Sequence, residues 1–152
     1  MWKWFIPILA TSPVPAMGQD VSVDGSVVEA CFQSARNGAV DPDCIGFAAR
    51  LCQGREGETT VAIGQCVMAE TKAWDALLNR EYKETRDQFA RIPALGDKLK
   101  AAQRGWIEMR DADCDIAYDR YEGGSMRSIS AASCQMEHTA RRALELRNMR
   151  QP

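Results

Sequence analysis

From about residue 60 onward, apolar residues return every three, four or seven positions. Ile63, Val67, Trp74, Leu78, Tyr82 and Phe89 form one such stripe, the pattern of an amphipathic helix. Thr59 or Thr60 is the expected N-cap. The helix should end before Pro93, because a residue preceding proline avoids the α region. Leu95, Leu99, Ala102, Trp106, Met109 and Ile116 predict a second long helix, starting near Pro93 or Asp97 and stopping at Gly123-Gly124. Ser125 is then expected to cap a third, with Ile129, Met136, Ala140, Ala143 and Leu144 inward and Arg150 and Gln151 fraying. Two shorter helices precede these. One covers residues 27–36, with Ser26 as N-cap and Asn37-Gly38 as an αL stop. The other starts at Asp41-Pro42-Asp43, where proline is tolerated at the first position, and runs to about Cys52. Residues 54–58 read as a loop, and no strand pattern competes. The expected fold is all-α: an antiparallel, up-down-up bundle of three long helices with a short N-terminal helical hairpin, stapled by disulfides.

The first residues have a different character. Met1-Trp2-Lys3 is short and positive, residues 4–10 are apolar, and Pro13 and Pro15 break any helix that follows. Ala16-Met17-Gly18 places small residues before Gln19, completing the layout of a secretory signal peptide. The apolar run is far below the roughly 20 residues that span a bilayer. No cysteine follows the cleavage point, so a lipid anchor is not expected. The expected organisation is a signal peptide over residues 1–18, a flexible leader over 19–26 and one helical domain over 27–150. The compartment is a Gram-negative periplasm or the outside of the cell, with no transmembrane anchor after cleavage.

Six cysteines support that compartment: Cys31, Cys44, Cys52, Cys66, Cys114 and Cys134. An even count in a small exported chain reads as disulfides. Sequence alone does not choose among the many possible pairings. Cys114 and Cys134 lie almost symmetrically about residues 122–125, which favours Cys114–Cys134 across a helical hairpin. Near-neighbour pairing of the rest gives Cys31–Cys44 and Cys52–Cys66. A zinc site is not expected: no Cys-x-x-Cys pair is present, and His138 is the one histidine.

Composition changes this picture little. The 152 residues are 45 % hydrophobic and 26 % charged, with a formal net charge of −2, as in an ordinary globular domain. No basic stripe suggests nucleic acid. The charge is uneven, however. Residues 19–66 hold seven acidic side chains against three basic ones, whereas the remainder is balanced. The acidic third is either a solvated surface or an attraction to a basic partner.

No catalytic constellation stands out, and no cofactor or metal is expected. His138 reads as a surface or packing residue. Asp111, Asp113 and Asp115 would need a cleft to act as a glycosidase pair. Asn79, Gln103, Arg110, Thr139 and Arg142 lie at or beside inward positions and are expected to form a structural polar network that sets helix register, or else to line a groove. Trp74 and Trp106 read as core. Tyr121, Glu122, Gly123, Gly124 and Ser125 make the best candidate for partner binding, as a stapled and therefore preorganised turn.

Several of these residues also carry a family likeness. Cys66 is followed by Trp74-Asp75-x-x-Leu78-Asn79-x-x-Tyr82, then Ala102-Gln103-Arg104-x-Trp106-Ile107-x-x-Arg110-Asp111-Ala112-x-Cys114. Tyr121-x-Gly123-Gly124-Ser125, Cys134 and Thr139-x-x-Arg142-x-x-x-Leu146 complete the pattern. This resembles the lysozyme-inhibitor LprI-like N-terminal domain family. The resemblance implies an exported helical domain with disulfides matching Cys52–Cys66 and Cys114–Cys134, and leaves Cys31 and Cys44 as an extra pair. It also implies inhibition of lysozyme, without assigning that role to particular positions. The functional expectation is a non-enzymatic periplasmic inhibitor of a muramidase. The alternative is an envelope interaction or structural module with another partner; a small glycan-cleaving enzyme would require a cleft.

Overall fold

A computed structural model describes residues 20–151. The signal-peptide reading falls outside those residues. Five helices and no strands occur among the described residues: α1 (Gly25–Ser34), α2 (Phe47–Glu56), α3 (Thr60–Phe89), α4 (Leu95–Asp119) and α5 (Met126–Asn148).

The 30 residues of α3 make a rod about 45 Å long. It forms the spine with α5. The two run parallel, since Thr85 near the end of α3 donates to the carbonyl of Leu146 near the end of α5. The α4 helix returns antiparallel between them in sequence, yet packs almost entirely on α5 and meets α3 at few points. The hairpin of α1 and α2 packs on α3 and is tied to the end of α5 by Arg141, Arg147 and Asn148.

The core follows the α3 and α5 stripes: Val67, Trp74, Leu77 and Leu78 meet Met136, Ala140, Ala143, Leu144 and Leu146. Ile63, Tyr82, Phe89 and Ile129 are half-buried at its margin. Polar side chains sit inside the same stripe. Glu70 is buried, and its carboxylate accepts from the backbone nitrogens of Gly46 (2.7 Å) and Ala49 (2.6 Å) and from Trp74 Nε1 (3.0 Å). It thereby caps the N-terminus of α2, where the helix dipole favours an anion. Glu81 is buried against Arg150, which also donates to the Glu81 carbonyl and to Thr85 Oγ1. Arg147 donates to the carbonyls of Phe32 (2.7 Å) and Ala35 (3.0 Å), satisfying the end of α1 from α5.

Several expectations need correction. The first helix begins at Gly25, capped by Asp24 rather than Ser26, because the Asp24 carboxylate accepts from the Ser26 amide and hydroxyl. Residues 20–23, expected as a flexible leader, pack instead: Val21 and Val23 lie against the core, and Arg55 holds the Ser22 carbonyl. The second helix begins at Phe47, not at Asp41. Residues 42–47 turn through short backbone bonds, and Gly46 takes a left-handed φ of 85°. That helix then runs through Gly54 to Glu56. Ser125 adopts helical angles and makes no side-chain cap, because the left-handed residues before it have already turned the chain. Arg150, expected to fray, is an anchor.

The largest correction concerns α4. Ala102, Met109 and Ile116 of its expected stripe are exposed. The face toward α5 is Leu99, Gln103, Trp106, Arg110, Cys114 and Ala117, and only Leu99 and Cys114 of its 25 residues are fully buried. The apolar periodicity of α4 therefore runs partly on its outer side.

Candidate partner-binding surface

Three disulfides tie the chain: Cys31–Cys44, Cys52–Cys66 and Cys114–Cys134. The last joins α4 to α5 with Cα atoms 5.5 Å apart. It braces the end of the α4–α5 hairpin, where residues 121–125 turn the chain. There Glu122, Gly123 and Gly124 all have positive φ, at 44°, 141° and 87°. A β-carbon at either glycine would meet no neighbour, so backbone angle and not space calls for glycine there. All five turn residues are exposed. Arg120 stacks on Tyr121 at 5.1 Å, and Arg127 on Tyr118 at 3.8 Å.

Because α4 stands away from α3, a groove of about 510 Å³ opens between them over α5. Lys72 and Asp75 of α3 form one wall, Arg110 and Tyr118 of α4 the other, and Ala131 and Ala132 lie on the α5 floor.

The five residues expected to form one polar network separate into groups. Arg142 Nε donates to Gln103 Oε1 at 3.0 Å, joining α5 to α4. Arg142 and Arg110 both stack on Trp106, at 5.9 and 5.0 Å. Arg110 pairs with Asp111 at 2.7 Å and, with Thr139, reaches the groove. The Thr139 hydroxyl donates to the Gln135 carbonyl within α5. Asn79 does not join: it is exposed on α3 and bonds to Asp75 one turn back. Its position places it one residue past the buried Leu78, which turns it off the inner face.

The sulfurs of Cys114 and Cys134 and a ring nitrogen of His138 lie within 4.8 Å of one another. With both sulfurs in a disulfide, that trio has no thiolate to offer a metal. His138 Nε2 faces Asp113 Oδ2 at 3.4 Å. Asp111, Asp113 and Asp115 are all exposed on α4.

The acidic excess of the N-terminal third is partly satisfied within the fold. Glu29 pairs with Arg80 at 3.0 Å, Asp41 with Arg141 at 3.0 Å, and Asp24 caps α1. Hydrogen bonds from Arg80, then Gln33, hold the Glu29 carboxyl below its ordinary range. The Asp24 carboxyl is lowered in the same way, chiefly by the Ser26 hydroxyl.

The outer side of α4 was not singled out by motif. Glu108, Asp111, Asp115 and Asp119 recur at steps of three and four and lie exposed on one face, with exposed Met109 and Ile116 beside them. The spacing of these carboxylates carries the signal, but the apolar residues beside them predict burial of that side.

Three disulfides fit an oxidising compartment outside the cytoplasm, and no described helix is long and apolar enough to cross a membrane. Comparison with known proteins identifies the pattern behind this geometry. An uncharacterized protein of Rhizobium meliloti (strain 1021) is 29 % identical over 135 residues, covering 82 % of this chain and 90 % of the relative. No solved structure matches. The model of the lysozyme inhibitor LprI family matches residues 52–146, spanning the Cys52–Cys66 and Cys114–Cys134 bridges, the groove and the Gly-Gly turn. The chain belongs to the lysozyme inhibitor LprI family.

Proposed function

We propose that the protein is exported by its N-terminal segment to the periplasm and there inhibits a peptidoglycan-cleaving muramidase by direct contact, with no catalysis of its own. The observation that carries this reading is the family match over residues 52–146. The stapled end of the α4–α5 hairpin is the contact region. Tyr121, Glu122, Gly123, Gly124 and Ser125 stand at its tip, where a constrained turn loses little freedom on binding. Gln103, Arg110 and Arg142, gathered around Trp106, serve as a structural brace that fixes α4 on α5. Lysozymes are commonly basic, so association with this acidic chain should be sensitive to salt.

The test mixes mature protein, starting at Gln19, with human-type, goose-type and invertebrate-type lysozymes at low salt. Co-elution with at least one enzyme and slower cell-wall turnover are expected. Separate elution and full turnover with all three would overturn the reading.

A further inference from the structure

We propose that the outward face of α4 is the surface that docks the basic muramidase, a step that rests on the inhibitor reading above. The helix contributes little to the core: only Leu99 and Cys114 are buried, and α5 is its main neighbour. Most of its circumference is therefore unpartnered among the described residues.

Charge on that face is arranged against the helix's own stability. Asp111, Asp115 and Asp119 follow one another at i, i+4 and i+8, so each repels the next. They also occupy the second half of α4, whose last turn contains Asp119 and no basic residue, where the helix dipole disfavours anions. Glu108 extends the row toward the N-terminus, and Glu122 continues it into the turn. Internal pairing relieves it only in part. Asp111 meets Arg110, and Asp119 meets Arg127 at 3.7 Å while 77 % exposed. Glu108, Asp115 and Glu122 have no ion pair among the described residues. A row of carboxylates that costs the helix stability is accounted for by a cationic partner that neutralises it.

The same face carries what an interface centre requires. Ile116 is 66 % exposed and Met109 47 % exposed, one on each side of Ala112 along the helix and both beside the acidic row. An apolar strip edged by carboxylates matches a partner with apolar contacts inside a basic rim. A second copy of this chain does not fit, because two such rows would repel.

The experiment compares four forms of the mature protein for binding to a basic human-type lysozyme at low and high salt. One is native. The second carries Glu108→Gln, Asp115→Asn and Asp119→Asn, which leaves the Asp111–Arg110 pair intact. The third carries Asp43→Asn, Glu56→Gln and Glu58→Gln, an equal charge change on exposed positions of the N-terminal hairpin. The α4 form should melt no lower than native, since repulsion is relieved, so lost binding cannot be assigned to unfolding. It should bind about tenfold or more weakly at low salt, chiefly through slower association, and the gap should narrow at high salt. The hairpin form should stay within about threefold of native. A fourth form, Ile116→Ala, should weaken binding at both salt levels. Native-strength binding by the α4 form, or equal loss in the hairpin form, overturns the placement while leaving inhibition intact. Failure of native protein to bind overturns both.

Discussion

The Oε2 atom of Glu70 lies 2.6 Å from the backbone nitrogen of Ala49, across 21 residues of chain and between two helices. With Oε1 on the Gly46 amide and on Trp74 Nε1, this one buried carboxylate joins the α1–α2 hairpin to the spine. Removing it leaves three buried donors without acceptors. Glu70→Ala should cost roughly 3 kcal/mol or more of unfolding free energy. Glu70→Gln keeps the size but turns an N–H toward one of those donors, and should cost less, about 1–3 kcal/mol. Denaturant melts of the oxidised protein measure both.

A second buried acid, Glu81, depends on the chain's far end. Arg150 and Arg80 each pair with one of its oxygens, and Arg150 also binds Thr85. Arg150→Ala should destabilise by roughly 2 kcal/mol, because the buried carboxylate loses one of its two cations and keeps only the part-exposed Arg80. Pairing that change with Glu81→Leu should recover much of the loss. If the double variant is no more stable than Arg150→Ala alone, the ion pair is not what anchors this end.

The Glu29–Arg80 pair gives stability a pH dependence of known sign. Arg80 holds the folded Glu29 carboxyl below its ordinary value. Its contribution is therefore full above the unfolded pKa, about 4.3, and is lost as pH falls through the lower folded value. Both side chains are more than a third exposed, at 40 % and 38 %, so solvent keeps the effect below about 1 kcal/mol. Glu29→Gln should be less stable than native at pH 7, and the difference should shrink as pH falls below the ordinary carboxylate range. A constant difference across that range would contradict the assignment.

The Cys114–Cys134 bridge should matter twice. Its separation of 20 residues implies a contribution of roughly 3 kcal/mol on the chain-entropy account. The double Cys→Ser variant should melt lower by that amount. It should also inhibit lysozyme less well under conditions where it remains folded, because the hairpin end is no longer braced. Gly124→Ala, by contrast, meets open space and should cost only about 1 kcal/mol, through its left-handed backbone angle.

The spine was legible because α3 and α5 each bury one continuous stripe, and hydrophobic period reports burial directly. The start of α2 was not, because its cap comes from Glu70, 21 residues beyond Ala49, and local capping rules see only neighbours. The phase of α4 departs from its apolar stripe for a related reason. Hydrophobicity tells which residues would favour burial, but α4 has little besides α5 to bury against, so Met109 and Ile116 remain outside. Glu70, Glu81 and Thr85 left a trace in the sequence as polar residues at inward steps of three and four on α3. Their partners Ala49, Arg150 and Leu146 left none. Of the candidate network, Gln103 and Arg142 meet, Arg110 and Thr139 face the groove, and Asn79 lies outside. One residue of helical register decides between those fates.

Restraint of a muramidase by this fold would be read in the turnover of cell wall by a basic lysozyme. Adding mature, oxidised protein in increasing amounts at low salt should slow turnover in a saturable way, with the effect weakening as salt rises. Turnover that stays unchanged at micromolar excess and low salt would rule out inhibition by this protein.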